Sequence, residues 1–110
     1  PDLTVDTNWG PDGVLRYDGG NGADEAADIA IDSTGIYVTG RSQVSDTSFD
    51  YLTIKYDSSG NMVWRVRYDH SGGDDEARAI IADSAGNVYV TGKSQGGGTG
   101  FDYATVKYEQ

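Results

Sequence analysis

The run Asp83-Ser84-Ala85-Gly86-Asn87-Val88-Tyr89-Val90-Thr91-Gly92 decides how this chain is read, because Asp32-Ser33-Thr34-Gly35-Ile36-Tyr37-Val38-Thr39-Gly40 nearly reproduces it 51 residues earlier. Each run opens on Asp-Ser-x-Gly, a turn signal in which Asp and Ser bond nearby backbone amides and Gly accepts positive φ. Each then enters a short stretch of β-branched and aromatic residues that reads as a strand. Extended in both directions, the likeness covers Tyr17 to Ser58 and Tyr68 to Gln110, with Asn87 as the one inserted residue and 23 of 42 aligned positions identical. That is an internal duplication. All eight tyrosines fall into matched pairs, Tyr17/Tyr68, Tyr37/Tyr89, Tyr51/Tyr103 and Tyr56/Tyr108. A side chain reproduced in both copies is a packing element of the unit before it is a member of a single active site.

Each copy holds four strand-like stretches and no segment of helical periodicity. In the first copy they span about 25–32, 36–42, 49–56 and 62–69. The last alternates, with Met62, Trp64, Val66 and Tyr68 on the face expected to be buried and Val63, Arg65 and Arg67 on the other. The first is rich in small residues, Ala26, Ala27 and Ala30, matched by Ala77, Ala79 and Ala82, which suits a strand crowded near the centre of an assembly. Asp57-Ser58-Ser59-Gly60-Asn61 supplies a third copy of the turn recipe. These turns lack the alternating oxygen ligands and closing Glu of a calcium-binding EF-hand loop and read as structural.

Composition narrows the function classes. The 110 residues carry 18 acidic and 8 basic side chains, a net charge of -10, with a pI near 4.1. Such a chain repels phosphate backbones, so no nucleic-acid partner is expected. No apolar run approaches the ~20 residues of a membrane-spanning helix, so no membrane partner is expected either. There is no cysteine, hence no disulfide framework, thiolate metal site or cysteine nucleophile. Only 20 residues are Leu, Ile, Val or Phe, few for filling a core of this size, so an isolated chain is expected to be marginal.

A four-stranded unit of about 50 residues in tandem is what a β-propeller blade looks like in sequence. The fold expected is all-β: four-stranded blades, two per chain, in one module spanning 1–110. Residues 1–18 are read as an N-terminal strap and closing strand, about 19–69 as the first repeat, and about 70–110 as a second repeat lacking its outer strand. The runs Asp75-Glu76-Ala77, Asp83 to Gly92, Gly100-Phe101-Asp102-Tyr103 and Val106-Lys107-Tyr108, with their first-copy counterparts, resemble the bacterial β-propeller repeat family often called SBBP. The resemblance implies an architecture typical of secreted and cell-surface chains and carries no common catalytic residues.

Gly13 to Asp18 (GVLRYD) aligns with the end of the fourth stretch, so the repeat is permuted by one strand. The second blade then ends without its outer strand while the N-terminus supplies a spare. Propellers close with about four to eight blades, and two cannot close. A cyclic homo-oligomer with head-to-tail contacts is therefore expected, a trimer first and a tetramer second.

The loop end of the unit gathers carboxylates: Asp24, Asp46, Asp50, Asp74, Asp75 and Asp102 are the candidate ligand-binding residues, within a wider acidic set that includes Asp18, Glu25, Asp69 and Glu76. A solvated rim is the expected role, with calcium binding or a basic partner as the rival. Carbohydrate is a second rival, through stacking on Trp9, Trp64, Tyr51 or Tyr103. No enzyme activity and no cofactor are expected: His70 is the only histidine and Ser71 lacks a G-x-S-x-G elbow. The Asp74–Asp75 pair does not hold two carboxyl groups across a substrate as a glycosidase requires. Gly96 to Gly100 lacks the Lys-Ser/Thr ending and following helix of a phosphate loop.

Overall fold

The computed structural model describes residues 3–18, 22–45, 48–69, 73–96 and 100–110. Among them every regular element is a strand: β1 (Asp24–Asp32), β2 (Gly35–Ser45), β3 (Ser48–Tyr56), β4 (Met62–Tyr68), β5 (Asp75–Ala82), β6 (Val88–Gly96) and β7 (Gly100–Tyr108). The strands form two antiparallel meanders, a four-stranded sheet β1-β2-β3-β4 and a three-stranded sheet β5-β6-β7. One sheet corresponds to each repeat. The second lacks the fourth strand, as the permuted repeat requires.

Register is set by repeated local chemistry. In the turns, the Asp83 carboxylate accepts from the backbone N–H of Ala85 and Asn87, the Asn87 side-chain amide and the Tyr89 hydroxyl, at 2.9–3.1 Å. Asp32 accepts from the Thr34 and Gly35 amides and the Tyr37 hydroxyl, and Asp57 from the Ser59 and Asn61 amides. The Asn87 bonds hold the Asp83 carboxyl down at about 2. A carboxylate whose folded-state pKa is depressed contributes stability above its unfolded value of about 3.9 that is lost as pH falls toward 2. The Asp83 carboxyl resonance should accordingly titrate near pH 2, and Asp83→Asn should flatten the fall in melting temperature between pH 4 and pH 2. An unshifted titration would refute this account of the turn.

Both sheets bulge at the same place, Ala26/Asp28 and Ala77/Ala79. There the facing strand comes so close that a Cβ on Gly40 would lie 1.9 Å from the Glu25 carbonyl oxygen, and one on Gly92 would lie 2.1 Å from that of Glu76. Only glycine fits either position, which explains its presence in both copies.

One face of the first sheet packs on the opposite face of the second. Tyr37 and Tyr51, with Ala30, Trp64 and Tyr68, meet Ala77, Ile80, Val88, Val90, Ala104 and Val106. Polar bonds cross with them: Tyr51 Oη donates to the Ala104 carbonyl at 2.9 Å, the Ile80 amide donates to Asp28 Oδ2 at 3.0 Å, and Arg41 pairs with Glu76 at 3.0 Å. A second cluster, Leu52, Ile54 and Tyr56 with Val38, lies on the far face of the first sheet, where Leu15 and Tyr17 cover it.

Two expectations change. Met62 is exposed with Val63, because the register shift between Lys55 and Tyr56 breaks the alternation before Trp64. Ala26 is exposed while its counterpart Ala77 is buried, because the far face of the first sheet has no second sheet against it, and Ala27, in the bulge, is exposed like its counterpart Arg78. Gly13 to Asp18, expected to serve a neighbouring copy, joins no ladder among the described residues of its own chain. Its apolar side chains instead rest on the Leu52–Ile54–Tyr56 cluster.

Candidate functional site

The loop end of the two sheets brings the sequence-predicted carboxylates into three situations. Asp24 and Asp75, which open β1 and β5, each accept a hydrogen bond from a serine hydroxyl one strand away, Ser42 and Ser94 respectively. The pairs are the same in both copies and lie on the ladder register Asp24↔Ser42 and Asp75↔Ser94. In the first sheet Arg67 Nη2 also donates to Ser42 Oγ at 3.1 Å. Asp74 ties the two sheets together: its Oδ1 accepts from the Phe49 amide of β3 at 3.0 Å, and its own amide donates to Gln95 Oε1 of β6. Asp102 is exposed near the start of β7. Asp46 lies outside the described residues.

Asp50 departs most from a solvated rim. It is 5% exposed, and its Oδ1 is closed off from solvent with no hydrogen-bond partner among the described residues. One carboxylate oxygen from each of Asp50, Asp69 and Asp75 lies within 4.8 Å of the other two. Burial, and after it the Asp69 charge, push the Asp50 carboxyl up to about 6, with Arg67 opposing and Asp75 adding to the rise. Burial together with Asp75 also pushes the neighbouring Tyr51 phenol up to about 12. A buried carboxylate with an unpartnered oxygen and two more carboxylates at hand is an electrostatic conflict, since buried charges are ordinarily paired or metal-bound.

Asp50 and Asp75 were among the six candidates, and the fold unites them. Asp69 stood only in the wider acidic set. The signal for it is positional: Tyr17-Asp18 and Tyr68-Asp69 match each other at the end of the permuted strand, whereas the third Tyr-Asp, Tyr56-Asp57, opens a turn. Ser42, Ser94 and Arg67 were missed altogether. A serine matched to itself across copies is unremarkable in sequence until the ladder sets it opposite an aspartate.

The aromatic candidates for sugar stacking fare unevenly. Tyr51 is fully buried between the sheets and has no face to offer. Trp64 is half-buried, 6.0 Å from the Tyr37 ring and 6.5 Å from the Tyr108 ring, with Nε1 donating to Gln110 Oε1. Trp9 lines a groove of about 290 Å³ on the far face of the first sheet, with Leu15, Ile29, Val38, Leu52 and Tyr56. Tyr103 is 96% exposed. His70 and Ser71 lie outside the described residues.

Residues 63–98 match the SBBP beta-propeller repeat. The matched segment runs from β4 through β6, across the junction between the two sheets. No curated protein matches the chain.

Proposed function

We propose that this chain, which carries an SBBP beta-propeller repeat over residues 63–98, is a non-enzymatic structural module that closes into a propeller ring with further copies of itself and presents its acidic loop end. What carries the reading is that the two outer faces of the chain, one open and one partly covered by Leu15 and Tyr17, repeat the two halves of its internal interface. The buried face of the first sheet is built on Tyr37, Thr39, Tyr51 and Thr53. The aligned residues of the second sheet, Tyr89, Thr91, Tyr103 and Thr105, form its open face, where the Thr91–Thr105 hydroxyl contact repeats that of Thr39 and Thr53 at 2.9 Å. The opposite half is repeated as well. Ile80, Val88 and Val90, buried in the junction, align with Ile29, Ile36 and Val38 on the far face of the first sheet, where Ile29 is 63% exposed.

A second copy docked head to tail would set Tyr103 of one chain against Leu52 of the next, as Tyr51 sits against Ala104. It would also set Lys93 near Glu25 of the next chain, as Arg41 pairs with Glu76. Such a contact is heterologous and propagates until the rotation closes. Three chains give six blades, the favoured ring, and four give eight.

Size-exclusion chromatography with light scattering over a concentration series tests this. The expected result is a sharp species at three, or next four, times the 11.7 kDa chain mass. A folded monomer at every concentration would defeat the proposal. The carbohydrate alternative has no separate observation in its favour, because the exposure of Tyr103 is accounted for by its buried counterpart Tyr51.

A further inference from the structure

We infer that Asp50, Asp69 and Asp75 form a binding site for a divalent cation of the calcium class, pinning the loop end of the first sheet to the start of the second. The three residues come from the start of β3, the residue after β4 and the start of β5. A bound ion would therefore cross-link a blade to its successor at the point where the chain passes between them. Acidic residues crowd many surfaces without consequence, and the distinguishing fact is Asp50: nine-tenths buried, turned into the cluster, with an oxygen that no donor among the described residues reaches. The cation that acts on it, Arg67, has a guanidinium nitrogen on Ser42 Oγ. A divalent ion would supply the missing partner.

The donor set decides the class. Carboxylate oxygens with no imidazole or thiolate select a hard cation. One oxygen from each of the three carboxylates lies within 4.8 Å of the others, close enough to share an ion. Calcium accepts such irregular carboxylate sets, whereas magnesium demands near-ideal octahedral geometry and gives up its waters reluctantly.

The triad is also written twice. Asp102, Asp18 and Asp24 align with Asp50, Asp69 and Asp75, but within one chain they belong to opposite ends of the molecule. They would meet only where a ring closes, with Asp102 from one copy and Asp18 and Asp24 from the next. This extension rests on the assembly proposal, whereas the site within the chain does not. One ion per chain is thus expected for an isolated chain and two per chain for a closed ring.

The test is isothermal titration of the full chain, stripped with chelator, with calcium chloride and separately with magnesium chloride, alongside thermal melts. Calcium should bind saturably and raise the melting temperature by about 5 °C or more at tenfold excess over its Kd. Magnesium should bind at least tenfold more weakly. Asp50→Asn should abolish the response of the site within the chain and, in chelator, melt above the unmodified protein because it removes a buried charge. A carboxylate with a merely structural role would not give that reversal. Asp69→Asn, at an exposed position, should weaken binding at least tenfold and decides the matter if Asp50→Asn does not fold. Asp12→Asn, in the N-terminal segment, should change nothing. The absence of heat and of any shift up to about 10 mM calcium, above the range of weak extracellular sites, would overturn the proposal, as would unaltered binding in both Asp50→Asn and Asp69→Asn. Equal binding of magnesium would overturn the calcium assignment. A monomer that binds one ion would leave this site standing while the ring fell.

Discussion

Tyr51→Ala should cost about 3–5 kcal/mol of folding free energy, the range for truncating a buried aromatic side chain, while Tyr103→Ala should leave the stability of the isolated chain nearly unchanged. The two tyrosines occupy the same position of the repeat and differ only in what lies against them. Tyr51 is fully buried, its ring 5.2 Å from that of Tyr68 and its hydroxyl on the Ala104 carbonyl of the second sheet. Tyr103 is 96% exposed. For a domain whose total stability is in the ordinary range of about 5–15 kcal/mol, the Tyr51 change removes a fifth of it or more. Urea denaturation at a concentration low enough to keep the chain monomeric checks this. Similar midpoint shifts for the two variants would mean that the junction between the sheets is not the main core. Tyr51→Phe separates packing from the hydroxyl and should cost about 1 kcal/mol, the usual net value of one hydrogen bond.

The strands were readable because turn and alternation signals occur in duplicate: three Asp-Ser-x-Gly turns place the hairpins, and each observed strand lies within a few residues of its expected span. The bulge was not readable, since Ala26-Ala27-Asp28 and Ala77-Arg78-Ala79 contain nothing that local propensity marks; only the glycine across the ladder requires it. Lys55 shows a different limit. A lysine in an alternating strand is expected to face water, yet it is 7% exposed. Its Nζ donates to Thr34 Oγ1 at 2.9 Å and Gln110 Oε1 at 2.7 Å, and it sits 5.3 Å from the centre of the Tyr37 ring. Those partners come from the first turn and the last residue, so no window of sequence around position 55 contains them.

The candidate site follows the same logic. That Asp50 and Asp75 belong to one acidic end was legible from the order of strands and loops. That Asp50 is buried and Asp102 exposed was not, because the repeat treats the two alike and only the presence of a following blade distinguishes them. Under the ring proposal, sequence identity between copies reports the environment a residue would have in the complete assembly, whereas burial in a single chain reports how much of that environment one chain supplies.

Deleting residues 1–18 should convert the proposed ring into monomer, open aggregate or precipitate, because ring closure would give this segment a second use incompatible with the one it has within the chain. Within the chain it covers the far face of the first sheet, with Leu15 and Tyr17 on Leu52, Ile54 and Tyr56, the Arg65 guanidinium 5.7 Å from the Tyr17 ring centre, and the Gly10 amide bonded to the Ser59 carbonyl at 2.9 Å. In a ring, the next blade needs that face, and β7 needs an outer strand to cover an edge that otherwise invites uncontrolled pairing. Transfer of Gly13 to Asp18 from the face of its own first sheet to the β7 edge of a neighbouring copy meets both needs at once. Loss of the segment exposes an apolar face and leaves the edge open. A truncated chain with the same mass and melting temperature would rule this closure out. The point substitution Tyr17→Ala sharpens the test. Tyr17 aligns with Tyr68, which packs on Tyr51, so after transfer Tyr17 would pack on Tyr103 of the neighbour. Tyr17→Ala and Tyr103→Ala should each weaken assembly, and the double variant should weaken it by clearly less than the sum. In a dilute monomer their effects on stability should simply add, since Tyr17 there rests beside Tyr56 on the first sheet. Additivity in assembly as well would place the N-terminal segment permanently on its own sheet and exclude it from closing the ring.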